Sequence, residues 1–239
     1  MIRTIVIAAA GQGTRMKHLS EDKPKHLVRV AGKPFLHYVL HAIHAAGFER
    51  IIVVVGYHAE KMEAFLADQP YDITVVNQLE KMGDKHGTAS VVEAVEDVVG
   101  QEPFVLVNGD TLYTPDVFDL LRNDDGMTHM VGIHHPDPTH YGVIDADMNG
   151  QLRKIVEKPK EPVSNYINLG VYSFQPTIFS IVRQVLISPR GEFEIIDALN
   201  MLADQGKVHV ERSSVDWVDL GTPEDIPRVE EFLFRHNYL

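Results

Sequence analysis

Cysteine is absent from the 239-residue chain, which excludes disulfides, iron–sulfur clusters, thiolate zinc sites and a cysteine nucleophile. Long apolar runs are absent as well, because no segment approaches the roughly 20 residues of a membrane span. The apolar start, residues 5–10, is too short for a signal-peptide core and ends at Gly11. We therefore expect a cytoplasmic protein that does not bind a membrane.

Basic residues are scarce: 22 Lys and Arg face 34 Asp and Glu, which gives a net charge of −12. This balance is unfavourable for binding nucleic acids or anionic membrane surfaces. The stretch from Gly11 to Lys33 departs from it, because its only acidic residues are Glu21 and Asp22. A local positive excess is typical of an anion site or of a solvated basic loop, and charge alone leaves both open. The basic residues of this stretch are Arg15, Lys17, Lys23, Lys25, Arg29 and Lys33.

The first half of the chain alternates between strand-like and helix-like segments, which predicts parallel βαβ units in a doubly wound sheet. In the segment Pro34–Ala46, four apolar residues at helical spacing form one stripe: Leu36, Val39, Leu40 and Ile43. The predicted strands are Thr4–Ala9, Leu27–Val30, Arg50–Val55, Ile73–Asn77 and Pro103–Val107. The predicted helices are Pro34–Ala46, His58–Leu66 and Thr88–Val99.

After about residue 125 the pattern changes to strand-like pieces separated by turns, which predicts an antiparallel or mixed extension of the sheet. The predicted strands there are Met127–His134, Tyr141–Asp145, Gln151–Glu157, Ile167–Phe174 and Val208–Val218. Helices are predicted at Thr177–Gln184, at Glu194–Ala203 and from Thr222-Pro223 onward. The sequence thus predicts an α/β fold with a mixed, mainly parallel, doubly wound sheet. We expect one domain, 1–239, with halves 1–125 and 126–239.

A glycine-rich loop, Ala9-Ala10-Gly11-Gln12-Gly13-Thr14-Arg15-Met16, follows the first predicted strand. Glycines let a backbone approach an anion closely, and open parallel sheets bind ligands at this end of their strands. The loop lacks the third glycine of a dinucleotide fingerprint and the Gly-Lys-Ser/Thr of a Walker loop. By itself it is compatible with a simple turn. The nearby Arg15 and Lys25 are suited to a polyphosphate.

The segments Gly11–Met16, Pro24–Leu27 and Gly32–Pro34 together resemble the composite signature of the sugar-1-phosphate nucleotidylyltransferases. The resemblance extends over nearly the whole chain and implies a Rossmann-like nucleotidyltransferase fold. It implies that Arg15 and Lys25 contact phosphates at the reacting centre and act as the catalytic residues. It also implies that the loop holds a nucleoside triphosphate through Ala10, Gly11, Gly13 and Thr14.

Gln78 and the segment Gly87-Thr88-Ala89 are candidates for contacts to the nucleobase. An amide and exposed backbone can read the edge of a pyrimidine, although these residues, taken alone, favour a polar loop residue and an ordinary helix start. The resemblance implies that Gln78, Gly87 and Thr88 bind the base. The Thr88 variant is closer to uridylyl- and some thymidylyltransferases than to the Gly-Leu-Ala pattern of bacterial glucose-1-phosphate thymidylyltransferases.

Asp110 and Asp219 are the candidate metal ligands. Asp110 follows the predicted buried strand Val105–Asn108 and Gly109, at the same edge of the sheet as the glycine loop. Mg²⁺ is typically held by one or two carboxylates together with substrate phosphates. The resemblance implies that Asp219, in Trp217–Pro223, completes the Mg²⁺ site. Taken alone, an Asp in the position of Asp110 is usually a turn residue or a helix cap. The alternative role for Asp219 is to tether the following turn.

The middle of the chain supplies candidate sugar ligands in Tyr141-Gly142, Glu157-Lys158-Pro159 and Asn168-Leu169-Gly170. Sugar hydroxyls require paired donors and acceptors, and a glycine lets the ring lie on backbone. Any one of these residues alone is also typical of a polar surface position with no binding role. The resemblance implies an antiparallel sugar-binding extension that uses Gly142, Glu157, Lys158 and Asn168. In Arg190–Ile195 we favour Glu194 over Glu192 as the residue that faces the sugar.

His37, His41 and His44 share one helical face. They have no neighbouring carboxylate in a ligand-like pattern, so we predict a solvated face rather than a metal site. No hexapeptide-repeat β-helix follows residue 223, so we expect a catalytic core without acetyltransferase activity. Homo-oligomerisation stays open.

These expectations combine into one hypothesis: with Mg²⁺, the protein transfers a nucleotidyl group from a nucleoside triphosphate to a sugar 1-phosphate and releases pyrophosphate. UTP or dTTP with a hexose 1-phosphate is favoured, and GTP with a mannose-type sugar stays open. Two alternatives are a cytidylyltransferase for a non-sugar phosphate such as phosphocholine and a non-catalytic sugar-nucleotide sensor. Glu157 and Asn168 favour a polyhydroxy acceptor, and the presence of the basic and acidic site residues favours an enzyme.

Overall fold

The computed structural model describes residues 1–238. Its strands are β1 Thr4–Ala9, β2 Arg29–Val30, β3 Lys33–Pro34, β4 Arg50–Val55, β5 Ile73–Asn77, β6 Phe104–Asn108, β7 Thr111–Tyr113, β8 Thr128–His134, β9 Gly142–Ala146, β10 Leu152–Glu157, β11 Tyr166–Phe174, β12 Val208–Ser213 and β13 Trp217–Asp219. Its α-helices are α1 Phe35–Ala45, α2 Ala59–Ala67, α3 Gln78–Met82, α4 Thr88–Ala94, α5 Glu96–Val99, α6 Ile178–Val182, α7 Ile195–Ala203 and α8 Ile226–Arg235. Short 3₁₀ segments lie at Thr14–Ser20, Lys25–Leu27, Pro115–Leu121, Pro138–His140 and Pro223–Asp225.

Four parallel strands form the centre of the main sheet in the order β6-β1-β4-β5. Their apolar, β-branched sequences suit strands that are buried on both faces. The chain leaves β1 toward β4 and later returns to the opposite side of β1 as β6. Ala8 on β1 pairs with Asn108 at the end of β6, and the Gly109 amide donates to the Ala8 carbonyl at 2.9 Å. The segments that follow β1 and β6 therefore begin side by side.

Alternating side chains of the central strands supply two hydrophobic cores, one on each face of the sheet. On β1, Ile5 and Ile7 point into the core that contains residues of α1, α2 and α8, whereas Val6 points into the core formed with α4, α6 and α7. Because alternate side chains of β1 enter the two cores, the sequence of the strand after Thr4 is a continuous apolar run. The result is a three-layer arrangement with helices on both faces of the sheet.

The second half of the sheet is built around β11, which runs antiparallel to β6, β8 and β9. Its register to β8 shifts between Asn168 and Tyr172, and Gly170 in this irregularity has a φ of +77°. β12 extends β8 in parallel, and the turn after β9 folds onto it: the Val210 amide donates to the Gly150 carbonyl at 2.7 Å. The turn after β9 is therefore hydrogen-bonded to β12, which lies beside β8 in the antiparallel extension.

The predicted fold class is confirmed, as are the central strands, the helices 34–46 and 58–66, and the strands from 127 to 174 within a few residues. The helix predicted over Thr88–Val99 is wrong as one element, because it breaks at Val95 (φ −100°, ψ 2°) within a valine-rich segment of low helix propensity. The strand predicted over Val208–Val218 is also wrong. It splits into β12 and β13 where the Ser213 hydroxyl accepts a hydrogen bond from the Val215 amide at 3.2 Å.

The small antiparallel ladder of β7 and β13 was not predicted. It pairs Asp219 with Thr111, which are 108 residues apart in the sequence, and Trp217 with Tyr113. None of the helices between residues 1 and 238 has the length and apolarity needed to cross a bilayer.

Candidate active site

The glycine loop leaves β1 at the carboxyl edge of the sheet and turns sharply at Gly13, whose φ is +65°. The Lys25 side chain packs directly on Gly13, since a β-carbon at Gly13 would lie 2.8 Å from Lys25 Cβ. The Ser20 hydroxyl donates to the Gly13 carbonyl at 2.9 Å and closes the loop behind this turn. Gly13 therefore serves both the left-handed turn and the close approach of the lysine.

Arg15 follows this turn and is exposed. Its Nη2 lies 4.0 Å from the position that a β-carbon on Gly221 would take, so it borders the segment after β13. Among residues 1–238, no carboxylate lies within 4.0 Å of its guanidinium, whereas the neighbouring Lys17 is paired with Glu224 at 3.3 Å. Arg15 is thus a cation whose donors are available to an anion at this edge of the sheet.

Asp110 follows β6 at the same edge and is held by Lys25, whose ammonium donates a hydrogen bond to Asp110 Oδ2. The two side chains are 13% and 26% exposed, so the pair is open to solvent on one side. Burial alone raises the pKa of Asp110, but the charge and hydrogen bond of Lys25 outweigh it and keep that pKa below its usual range. Asp110 is therefore an anion at neutral pH.

Asp219 reaches the same place from the far end of the chain through the β7–β13 ladder. The ladder pairs Asp219 with Thr111, the residue after Asp110, and the Leu220 amide donates to the Asp110 carbonyl at 2.8 Å. Burial and the negative charge of Asp110 raise the pKa of Asp219 to about 7, against the opposing effects of Thr111 and Lys25. The two carboxylates thus share a site in which their charges repel.

This pair of carboxylates fits a divalent cation that takes its remaining ligands from water and phosphate. No cluster of three or more His, Asp or Glu side chains suited to a metal occurs within residues 1–238. Mg²⁺ is usually bound in this way, by one or two carboxylates together with substrate phosphates. A cation there would also offset the repulsion that raises the pKa of Asp219.

His26 lies behind the Lys25–Asp110 pair, is 2% exposed, and has no hydrogen-bond partner at Nδ1. Burial, reinforced by the Lys25 charge and opposed by Asp110, lowers its pKa from 6.5 to about 3. In the unfolded chain the imidazole binds a proton below pH 6.5, whereas in the fold it stays neutral until about pH 3. The fold is therefore destabilised as the pH falls through this window.

We predict that the non-titrating variant His26→Asn removes this acid sensitivity. Its free energy of unfolding carries a pH-independent offset from packing. Between pH 7 and pH 4, the free energy of unfolding of the unsubstituted protein should fall by up to about 3 kcal/mol more than that of the variant. Urea unfolding at several pH values, with EDTA present, measures it. Parallel stability curves for the two proteins would show that His26 is not buried in a neutral form.

The candidate base contacts are brought together although they lie in separate segments. Gln78 begins α3, is 5% exposed, and donates from Nε2 to the Gly87 carbonyl at 3.5 Å. Gly87 has a φ of +108°, and a β-carbon there would lie 2.4 Å from the Phe193 carbonyl oxygen. The Ala89 amide donates to that same carbonyl at 3.0 Å, so Thr88 is fixed between the two segments. These residues form one wall, here called the base wall.

The candidate sugar contacts lie on the antiparallel extension. Glu157 ends β10 directly across the β9–β10 ladder from Gly142, and a β-carbon on Gly142 would lie 3.2 Å from Glu157 Oε2. Lys158 follows with a φ of +44°, and its ammonium lies 3.9 Å from Glu157 Oε1. Asn168 donates to the Tyr172 hydroxyl at 2.7 Å and accepts from the Gly170 amide at 3.1 Å. Its remaining donor and acceptor capacity is available to a ligand.

Arg190 links the residues on the sugar side, a role that the sequence interpretation missed. Its Nε and Nη2 donate to Glu194 Oε1 at 2.9 and 2.8 Å, and its Nη1 lies 3.5 Å from Glu157 Oε1. Glu194 also accepts from the Ser188 hydroxyl at 3.0 Å and is only 15% exposed, whereas Glu192 is exposed. Glu194 is thus committed to Arg190, and its direct contact with a sugar stays a prediction.

Two comparisons of the sequence agree with this arrangement. The sequence profile of the family described as nucleotidyl transferase matches residues 4–235. The chain is 33% identical over 237 residues to the UTP–glucose-1-phosphate uridylyltransferase AglF of Haloferax volcanii, with 95% of each chain covered. It is 31% identical over 223 residues to the bifunctional protein GlmU of Methanococcus maripaludis. That match covers 92% of this chain and 52% of GlmU, so the chain spans about half of that relative.

A solved structure shares the fold over nearly the whole chain. It is a Bacillus anthracis protein in complex with sucrose, proposed to be a glucose-1-phosphate thymidylyltransferase. The TM-score is 0.82 at 26% sequence identity, and the match covers 96% of this chain and 94% of the other.

Proposed function

The chain belongs to the nucleotidyl transferase family, and on that premise we propose that it transfers a nucleotidyl group to a sugar 1-phosphate, giving a nucleoside diphosphate sugar and pyrophosphate. The observation that carries this proposal is the meeting of Lys25, Asp110 and Asp219 at the sheet edge where the glycine loop begins, with Arg15 beside them. This set of charges suits phosphoryl chemistry on a nucleoside triphosphate.

UTP or dTTP is the proposed donor, and a hexose 1-phosphate the proposed acceptor. The relatives support this choice, since one is described as acting with UTP on glucose 1-phosphate and another as a thymidylyltransferase. In the proposed complex, Ala10, Gly11, Gly13 and Thr14 hold the triphosphate, and Gln78, Gly87 and Thr88 read the base. The sugar lies against Gly142, Glu157, Lys158 and Asn168, with Glu194 bracing this side through Arg190.

The proposed reaction is an in-line displacement at the α-phosphorus of the triphosphate. An oxygen of the sugar phosphate forms the new P–O bond while the bond to the pyrophosphate oxygen breaks, and pyrophosphate leaves with that electron pair. A phosphate monoester has a second pKa of ~6, so the nucleophile is already largely deprotonated at neutral pH. No side chain is then required as a general base.

The side chains act by positioning and by neutralising charge. Arg15 can bind two phosphate oxygens with its fork, and Lys25 can move from Asp110 to a phosphate because a flexible stem carries its charge. Asp110 and Asp219 would hold Mg²⁺, which when bound neutralises charge on the triphosphate.

A grid of reactions tests this proposal. UTP, dTTP, GTP, CTP and ATP are each combined with hexose 1-phosphates and with phosphocholine in the presence of Mg²⁺, and pyrophosphate release is measured. We expect a signal that requires one pyrimidine triphosphate and one hexose 1-phosphate. Release with CTP and phosphocholine alone would contradict the sugar assignment. Silence throughout, with sugar-nucleotide binding seen by thermal shift, would identify a sensor.

Glu157→Gln tests the sugar side separately. If Glu157 accepts hydrogen bonds from sugar hydroxyls, the variant should raise the KM for the sugar 1-phosphate by about 10-fold or more. The KM for the triphosphate should stay within about twofold, because Glu157 lies on the extension and not in the base wall. Glu192→Gln is the matched control, since Glu192 is exposed nearby. Equal changes in both KM values would contradict the assignment of Glu157 to the sugar.

A further inference from the structure

Thr111 is a polar side chain at the site that the proposed reaction does not use. It follows Asp110 directly, begins β7 and is 3% exposed. The β7–β13 ladder places it opposite Asp219, and its hydroxyl donates to Asp219 Oδ1 at 2.6 Å. Within residues 1–238, this is the one side-chain hydrogen bond that the Asp219 carboxylate receives.

This hydrogen bond holds the Asp219 carboxylate in place. Asp219 is half-buried, and the negative charge of Asp110 repels its carboxylate, which favours a side chain that is turned away from Asp110. The Thr111 hydroxyl fixes the orientation of the carboxylate against this repulsion. Because the donor occupies Oδ1, it leaves Oδ2 for another partner. Outer partners of this kind orient metal-binding carboxylates.

We propose that Thr111 is a positioning residue that holds the Asp219 carboxylate in the orientation needed for a divalent cation shared with Asp110. The inference rests on the proposed function and deepens its metal site. Thr111 itself does not touch the substrate or the cation. Its contribution is the single hydrogen bond across the ladder, so its hydroxyl and not its methyl group carries the role.

Two substitutions at Thr111 distinguish the contribution of its hydroxyl group from that of its side-chain shape. Thr111→Val keeps the β-branched volume in the buried strand but removes the donor, whereas Thr111→Ser keeps the donor and removes only the methyl group. Asp219→Asn is the reference variant, because it shows how much Mn²⁺ binding is lost when the Asp219 carboxylate is removed completely. The melting temperature of each metal-free variant shows that it folds.

The experiment is a titration of the full chain with Mn²⁺ alone, followed by electron paramagnetic resonance of the free ion. We expect Thr111→Val to weaken Mn²⁺ binding by about 10- to 100-fold, and Thr111→Ser to stay within about threefold of the unsubstituted protein. In parallel, Thr111→Val should raise the Mg²⁺ concentration needed for half-maximal pyrophosphate release. Its rate at saturating Mg²⁺ should be largely restored, which a disrupted fold would not allow.

Three results would overturn the inference while leaving the reaction intact. Mn²⁺ binding by Thr111→Val at the level of the unsubstituted protein would remove the positioning role. Equal losses in Thr111→Ser and Thr111→Val would assign Thr111 a packing role instead. Unchanged Mn²⁺ binding in Asp219→Asn would mean that Asp219 is not a ligand and would overturn the inference as well. Pyrophosphate release by the unsubstituted protein shows independently whether the proposed function stands.

Discussion

Asp110→Asn is expected to lower Mg²⁺-dependent pyrophosphate release by on the order of 10³-fold without unfolding the protein. Asp110 is the carboxylate that stays ionised at neutral pH, because Lys25 keeps its pKa below the usual range. Asparagine retains an oxygen that can accept from Lys25, and it removes the repulsion between Asp110 and Asp219. The fold should therefore tolerate the change while the cation loses its anionic ligand.

Steady-state rates over a range of Mg²⁺ concentrations measure this effect. Asp119→Asn is the matched control, because Asp119 is an exposed carboxylate in the 3₁₀ segment that follows β7. We expect the control to keep its rate and both variants to melt cooperatively. A near-normal rate in Asp110→Asn would remove Asp110 from the mechanism, and a loss of cooperative melting would assign it to the fold instead.

Lys25→Met is the second change with a large expected effect, a loss of about 10²- to 10³-fold in kcat. Methionine keeps most of the packing of the lysine stem on Gly13 but removes the charge that neutralises the triphosphate. It also leaves Asp110 without its hydrogen-bond donor, so binding of Mg²⁺ to the metal-free protein should become tighter. Tighter Mg²⁺ binding combined with a lower kcat indicates the loss of a phosphate contact, whereas the loss of a metal site would weaken Mg²⁺ binding as well.

Lys17→Met is the control for this substitution. Lys17 belongs to the same basic stretch, but its pair with Glu224 is exposed, with side chains 64% and 69% accessible. Pairs of this kind contribute little to stability or to a remote site. We therefore expect at most a twofold change in kcat for Lys17→Met. Equal losses in both variants would show that the stretch acts through its general charge and not through Lys25.

The parts of the site that lie in local sequence patterns were predictable. The glycine loop and Asp110 each follow a buried apolar run, and parallel strands bring the ends of such runs to one edge of the sheet. The apolar stripe of α1 likewise predicted the exposed side of that helix, where His41 and His44 lie in contact with solvent. Short-range periodicity is sufficient for these features.

The parts that depend on contacts distant in sequence were not predictable. The hydrogen bond from Thr111 to Asp219 spans 108 residues and depends on the register of the β7–β13 ladder, whose strands are only three residues long. The contact of Arg190 with Glu157 spans 33 residues and depends on how α7 packs against β10. A periodic pattern in one segment carries no information on such pairings.

The measurement that tests the central claim most directly follows the phosphate oxygens of the acceptor. A hexose 1-phosphate fully labelled with ¹⁸O in its phosphate is incubated with the unlabelled triphosphate and Mg²⁺, and the products are analysed by mass spectrometry. Attack of the sugar phosphate on the α-phosphorus predicts a nucleoside diphosphate sugar that retains all the label and a pyrophosphate that contains none. Label in the pyrophosphate, or hydrolysis of the triphosphate without a labelled sugar nucleotide, would contradict the proposed function.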